Sequence, residues 1–335
     1  MLYASVCSGI EAATVAWGPL GFRPAWFAEI DPFCSTVLSY HYPSVENRND
    51  FKKIEADVGT IDILVGGTPC QSFSIAGRRG GLDDARGSLA IEFCRLAGRL
   101  RPRWLVWENV PGVLSSSGGR DFGIILGALA QLGYGCAWRV LDARFFGVPQ
   151  RRRRVFVVGH LGDWRRAAAV LFERASLCRD TAARPEARQK IAAGSVCGVE
   201  VGPSGGKFTE LAPTLDTRCR NGAIRNQTGL LVFGGNNSCG PIDVATACNA
   251  RGGSGRMDFE TESFVTHALR SGQRTVRRLT PRECERLQGF PDDYTLVPYR
   301  GRLAADGPRY KAIGNSMAVP VMRWIGERIQ RVENL

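Results

Sequence analysis

The chain has 335 residues, 44% hydrophobic and 23% charged, enough for one large domain with a proper core and a smaller one beside it. Lys and Arg number 44 against 32 Asp and Glu, a net charge of +12, which favours a polyanionic partner. Eleven cysteines form no Cys-x-x-Cys pair and histidines are few, so no metal site is read here. No basic leader precedes a long apolar stretch, and no apolar run reaches about 18 residues. The expectation is a cytoplasmic protein with no membrane segment.

Short apolar runs alternate with helical patterns over the first part of the chain. Strands are expected at 2–7, 24–29, 61–65, 104–108, 135–141 and 154–159, and helices at 10–17, 32–42, 88–100 and 123–132. In 88–100, Leu89, Phe93, Leu96, Ala97 and Leu100 share one helical face. Such alternation predicts an α/β fold, a mostly parallel sheet with helices on both faces. The order of the strands does not follow from spacing. From Gly162 arginines crowd the sequence, and Gly, Asn, Ser and Thr then dominate to about Gly272, which reads as a smaller loop-rich domain. A faint repeat there pairs 212–218 with 245–251. Helical patterning then resumes. Thr280, Pro281 and Glu283 form a capping-box pattern, the helix is expected to stop near Gly289, and an amphipathic stretch covers 322–332. The division is 1–161, 162–274 and 275–335, the last completing the first.

Three short patterns carry chemistry. Thr68-Pro69-Cys70-Gln71 follows the run 62–67, so a thiol stands at the carboxyl end of a strand on a loop stiffened by Pro69. Glu108-Asn109-Val110 ends a second run, 104–107, and sets a carboxyl beside the thiol. Gln150-Arg151-Arg152-Arg153-Arg154 enters a buried strand, and in extended backbone Gln150, Arg152 and Arg154 share one side. In this order, the blocks resemble the DNA cytosine methyltransferases that modify carbon 5. The likeness runs to Val321 and omits only about 162–274.

The resemblance implies a Rossmann-like sheet with an added antiparallel hairpin and a target-recognition domain over 162–274. It implies S-adenosylmethionine as cofactor and S-adenosylhomocysteine as product. The cofactor loop would be Cys7, Ser8, Gly9 and Ile10, with Glu11 where the family has a second glycine and Cys7 where it has an aromatic. Glu29 would hold the ribose hydroxyls, with Ile30 beside it, and Asp50 would meet the adenine amino group. Pro69, Leu89, Asn315 and Ser316 would line the remainder of the cofactor site.

Cys70 is the expected nucleophile, as thiolate, toward carbon 6 of cytosine. Glu108 is expected at N3, Arg154 at the base carbonyl and Glu108, and Arg152 at a phosphate or beside Arg154. The base must leave the duplex stack to be reached. Gln71, Ser72, Arg78, Arg79, Gln150 and Arg152 are the DNA-facing candidates, the loop 72–86 closing over the substrate. Arg218, Arg220 and Arg251 are candidates for reading guanine edges. Double-stranded DNA is the expected partner, a cognate restriction endonuclease is compatible with the family, and a monomer suffices. Two alternatives stay open, the tRNA-modifying branch of the same fold and a DNA reader without catalysis. The Cys-Phe-Thr signature of that branch is not found.

Overall fold

The computed structural model describes residues 1–55, 60–69, 88–172 and 274–335, with short strands at 198–202, 205–209, 232–234, 245–246 and 263–268. Strands β1 (Leu2–Val6), β2 (Arg23–Ala28), β3 (Glu46–Asn47), β4 (Ile63–Gly66), β5 (Trp104–Asn109), β6 (Tyr134–Asp142), β7 (Gln150–Arg151) and β8 (Arg153–Leu161) come first. Between them lie helices α1 (Ala12–Trp17), α2 (Pro32–His41), α3 (Ser88–Leu100) and α4 (Arg120–Gln131), with α5 (Trp164–Leu171) after β8. Near the end of the chain come α6 (Pro281–Gln288), α7 (Asp306–Asn315) and α8 (Val319–Glu333).

Seven strands form one sheet in the order β3-β2-β1-β4-β5-β8-β6. All pairs are parallel except those made by β8, which runs against both β5 and β6. This is a Rossmann-like α/β sheet with an antiparallel hairpin at one edge. The chain steps outward from β1 to β3, then returns to lay β4 on the other side of β1. Open α/β sheets hold ligands outside the carboxyl ends of the strands at such a reversal.

Alternation within the strands divides the core. Ile63, Val65, Trp104, Val106, Phe156 and Val158 face α1, α2, α5 and the three helices near the end of the chain. Leu64, Leu105, Trp107, Val155 and Val157 face α3 and α4. Helix α8 docks on α1: Trp17 Nε1 donates to the Met322 carbonyl at 2.7 Å. A side chain at Gly326 would come within 2.5 Å of the Trp17 ring. The expected capping box is present at Thr280 and Glu283, and Gly289 ends α6 at φ 83°.

The expected strands lie within two residues of those observed. Elements not anticipated include β3, α5 and α7, the last lying where no helix was expected, between Gly289 and residue 322. β3 has two residues, too few for a periodic pattern. α5 sits in the arginine-rich stretch, yet Asp163 caps it by accepting from the Arg165 amide at 2.9 Å. Its Ala167, Val170 and Leu171 are buried in the same core as β8. α4 begins three residues earlier than expected, because Ser116 and Ser117 donate to the buried Asp121 carboxylate and fix its first turn. Of the faint repeat only 245–246 is described, as a strand parallel to β7.

Candidate active site

A cleft of about 840 Å³ opens at the carboxyl ends of β1, β2, β4 and β5. Its floor starts at Cys7 and Gly9, both with positive φ, 48° and 56°. Gly9 tolerates this turn without strain, and its amide donates to Glu29 Oε2 at 2.7 Å. Glu29 Oε1 accepts from the Asp31 amide, also at 2.7 Å. Burial pushes the Glu29 carboxyl up, against those two amides. Asn47 receives the Glu29 amide and donates to its carbonyl, so β3 holds this strand end. Beside it Ile30 is 74% exposed, an apolar face turned to the cleft. Burial, with Glu29 and Asp50 nearby, pushes the Cys7 thiol up to about 12 and leaves it neutral.

Glu11 explains its departure from the family glycine. Its backbone is left-handed, φ 60° and ψ 59°, the conformation a glycine would take at no cost. Its Oε2 accepts from the Thr14 amide at 3.1 Å and the Thr14 hydroxyl at 2.5 Å, capping α1. Thr14 Oγ1 in turn meets the Tyr3 hydroxyl at 2.6 Å. Burial pushes the Glu11 carboxyl up to about 7, while the Ser5 and Thr14 hydroxyls pull it down. A carboxyl raised on folding costs stability once pH exceeds its unfolded value of 4.5, and the cost is complete above about 7. Glu11→Gln is therefore expected to gain on the unmutated chain as pH rises from about 5 to about 8, by up to roughly 3 kcal/mol. Thermal melts of both proteins at both pH values check this; a constant difference would contradict it.

The opposite wall of the cleft is built from β4 and β5. Trp107 Nε1 donates to Thr68 Oγ1 at 3.0 Å, and Asn109 Nδ2 donates to the Thr68 carbonyl at 3.2 Å. Thr68 is 4% exposed and held from both sides, while Pro69 emerges at the cleft wall. Gly66 is required here, since a Cβ would come within 2.6 Å of Val6. At Gly67 a Cβ would lie 3.1 Å from Glu108 Oε2, so the missing side chain leaves that oxygen room. Glu108 Oε1 pairs with Arg154 Nε at 3.1 Å, and both groups line the cleft.

Arg152 is 3% exposed. Its Nη1 donates to the Gly314 carbonyl at 3.1 Å and its Nη2 to the Ser316 carbonyl at 2.5 Å. It thus fastens the C-terminal end of α7 to the strand that carries Arg154. Asn315, the last residue of α7, is exposed and lines the cleft; Ser316 is buried and caps the helix. Leu89 and Asp50 line the same cleft, and Asp50 caps a short turn through the Lys52 amide. Gln150 and Ile10 are fully buried, Ile10 beneath the turn rather than on the cleft wall. Cys70, Gln71, Ser72, Arg78, Arg79, the rest of the loop 72–86, and Arg218, Arg220 and Arg251 lie outside the described residues.

The sequence reading did not single out Asp31, Asn47, Thr68 as an anchor point, or Lys311. Lys311 Nζ meets Asp31 Oδ2 at 2.7 Å and ties α7 to the start of α2 across the cleft. Burial alone would raise Asp31, but the Lys311 ammonium and the Cys34 and Phe33 amides outweigh it and hold the carboxyl below its usual range. The local cue for Asp31 was present: Asp-Pro ahead of an apolar helix is a capping pattern.

A sequence model of the family described as C-5 cytosine-specific DNA methylase matches residues 1–189 and 236–331. The chain belongs to this family. Among curated relatives, the type II methyltransferase M1.ScrFI of Lactococcus lactis subsp. cremoris is 31% identical over 92% of this chain and 72% of its own length. The type II methyltransferase M.HpaII of Haemophilus parainfluenzae is 32% identical over 82% of this chain and 74% of its own. A protein of Escherichia phage P1 named DNA N-6-adenine-methyltransferase is 36% identical over 99% of this chain, which spans 61% of that protein's length. The structure of the Dnmt2 methyltransferase of S. pombe superposes with a TM-score of 0.63, at 16% identity and 99% coverage of both chains, so the fold is common to both. Membership explains why the cleft is assembled from segments so far apart: the family's matched blocks hold Gly9, Glu108, Arg154 and Asn315 alike. No helix among the described residues is long and apolar enough to cross a membrane.

Proposed function

We propose that the chain transfers a methyl group from S-adenosylmethionine to carbon 5 of a cytosine in duplex DNA, through an adduct with Cys70. One observation carries this reading: Glu108 and Arg154 pair at the cleft, next to a Thr68–Pro69 segment held by Trp107 and Asn109. The residues present fit the cofactor. A carboxylate at the end of the second strand suits ribose hydroxyls. Gly9 leaves open space above its backbone, Ile30 offers an apolar face for an adenine, and Asp50 and Asn315 add polar groups. The cleft volume is that of small-molecule sites.

The cofactor supplies a methyl carbon on a positively charged sulfur, which leaves with the bonding pair. Everything else falls to the chain and the base. The Cys70 thiolate adds to carbon 6, and the ring electrons move toward N3, which takes a proton held by Glu108. Arg154 keeps that carboxyl in place and faces the carbonyl of the base. Carbon 5, now enamine-like, forms the new carbon–carbon bond. Loss of its hydrogen as a proton then expels Cys70 and restores the double bond, and N3 returns its proton to Glu108. Arg152 acts as a positioning residue, since its guanidinium is taken by the Gly314 and Ser316 carbonyls at the end of α7. The base is flipped from the stack, loop 72–86 closes on the duplex, and 162–274 reads the flanking sequence. The names of the type II relatives support a role beside a restriction endonuclease of the same site.

The phage P1 relative supports a second reading, transfer to the N6 of adenine. An exocyclic nitrogen needs no thiolate addition, so that chemistry leaves Cys70 idle. Labelled methyl transfer to duplex DNA, followed by nucleoside analysis, decides. The label is expected in 5-methylcytosine; label in N6-methyladenine would overturn the proposal, and label in tRNA alone would favour the other branch of the fold.

A further inference from the structure

The arginine run serves the cleft with only half its members. Arg152 and Arg154 are turned to the active site, while Arg151 and Arg153 are exposed and alternate with them. They line a second cleft, about 560 Å³, with Arg139 and Arg144. Four arginines there face one carboxylate, Asp142. Asp142 pairs with Arg144 at 3.2 Å, and neither Arg151 nor Arg153 has an ion-pair partner among the described residues. Arg139 donates to the Leu171 carbonyl at 2.9 Å. The Arg144 guanidinium lies over the Phe145 ring at 4.5 Å, and that ring is 38% exposed. Stacking of this kind holds a guanidinium flat with its N–H edge free for a phosphate.

The position of this cleft follows from the topology. β6 runs parallel to the sheet's main direction, so Asp142 lies at the same end of the sheet as Glu108. Only β8 separates them. Two strand spacings across and three residues along β8 set Glu108 and Asp142 about 14 Å apart, less than the width of a duplex. A double helix that delivers a base to Glu108 therefore brings its neighbouring backbone over Asp142 and the arginines around it.

We propose that this second cleft binds the phosphodiester backbone of duplex DNA flanking the target base. The inference rests on duplex DNA being the substrate. Exposed arginines without ion-pair partners among the described residues, Arg151 and Arg153, suit the phosphate oxygens, and the exposed Phe145 ring suits the deoxyribose between them. No base edge is reached from such a site, so it adds affinity and register without sequence preference.

The test is DNA binding by fluorescence anisotropy, for the unmutated chain and Arg151→Gln/Arg153→Gln. Two duplexes share one centre, one of about 12 base pairs, little more than a helical turn, and one of about 30. The unmutated chain is expected to favour the longer duplex. The variant is expected to lose about tenfold in affinity for it and about 2 from the slope of log affinity against log salt. Equal losses on both duplexes would place these arginines in the active site and overturn the proposal, as would no loss on either. Equal melting temperatures exclude a folding defect. The readout needs no turnover: length-dependent binding without methylation would overturn the proposed function and leave the cleft standing.

Discussion

Cys70→Ala is expected to end methyl transfer, with turnover lower by at least about 10⁴-fold, the scale seen when a covalent nucleophile is removed. Carbon 5 of cytosine does not attack a methyl group unaided, and among the described residues the two thiols at the cleft, Cys7 and Cys34, are both pushed up by burial. Cys7, at the same cleft, is held neutral by burial and the carboxyls of Glu29 and Asp50. The two residues before Cys70 are fixed: Thr68 by Trp107 and Asn109, Pro69 by its ring. The variant should still bind DNA. Exchange of tritium from carbon 5 into water, measured without cofactor, reads thiolate addition alone and should vanish with it. Transfer that survived the substitution would mean a reaction without an adduct, as at an exocyclic nitrogen.

Glu108→Gln is expected to lower kcat by about 10²–10⁴-fold, the range for loss of a positioned proton donor. An amide can still hydrogen-bond to N3, but it has no proton to give up. It also changes the group that Arg154 Nε meets at 3.1 Å. Cofactor affinity should change little, because the Gly9–Glu29 contact and Ile30 lie on other strands. Single-turnover rates and calorimetry with S-adenosylhomocysteine separate the two. A variant with normal kcat and weakened cofactor binding would move Glu108 from the base to the cofactor.

The strands and the helices between them were legible because each strand alternates between two cores. Ile63 and Leu64, or Val155 and Phe156, are neighbours in sequence and point to opposite layers. The sheet order was not, since apolar runs carry no position, and the reversed strand was expected through the family resemblance alone. Residues at strand ends were readable as candidates: Glu29, Glu108 and Arg154 all line one cleft. Partnerships were not. Arg152 reaches carbonyls 162 and 164 residues away, and Trp107 reaches Thr68 across 39. Such contacts exist only once the sheet has formed. Glu11 looked like a defect in a glycine turn, because a sequence shows the missing glycine and not the cap that its replacement makes at Thr14.

The docking of α8 on α1 sets a timetable. Trp17 waits for a carbonyl 305 residues further along. At ribosomal speeds of about 5–20 residues per second, that partner arrives roughly 15–60 s later. The turn from Cys7 to Glu11 leads directly into α1, and so it stays without its final support while the rest of the chain is made. The Cys7–Gly9 end of the cleft thus gains that support only after Met322 has been made, however early β1 and α1 are ready.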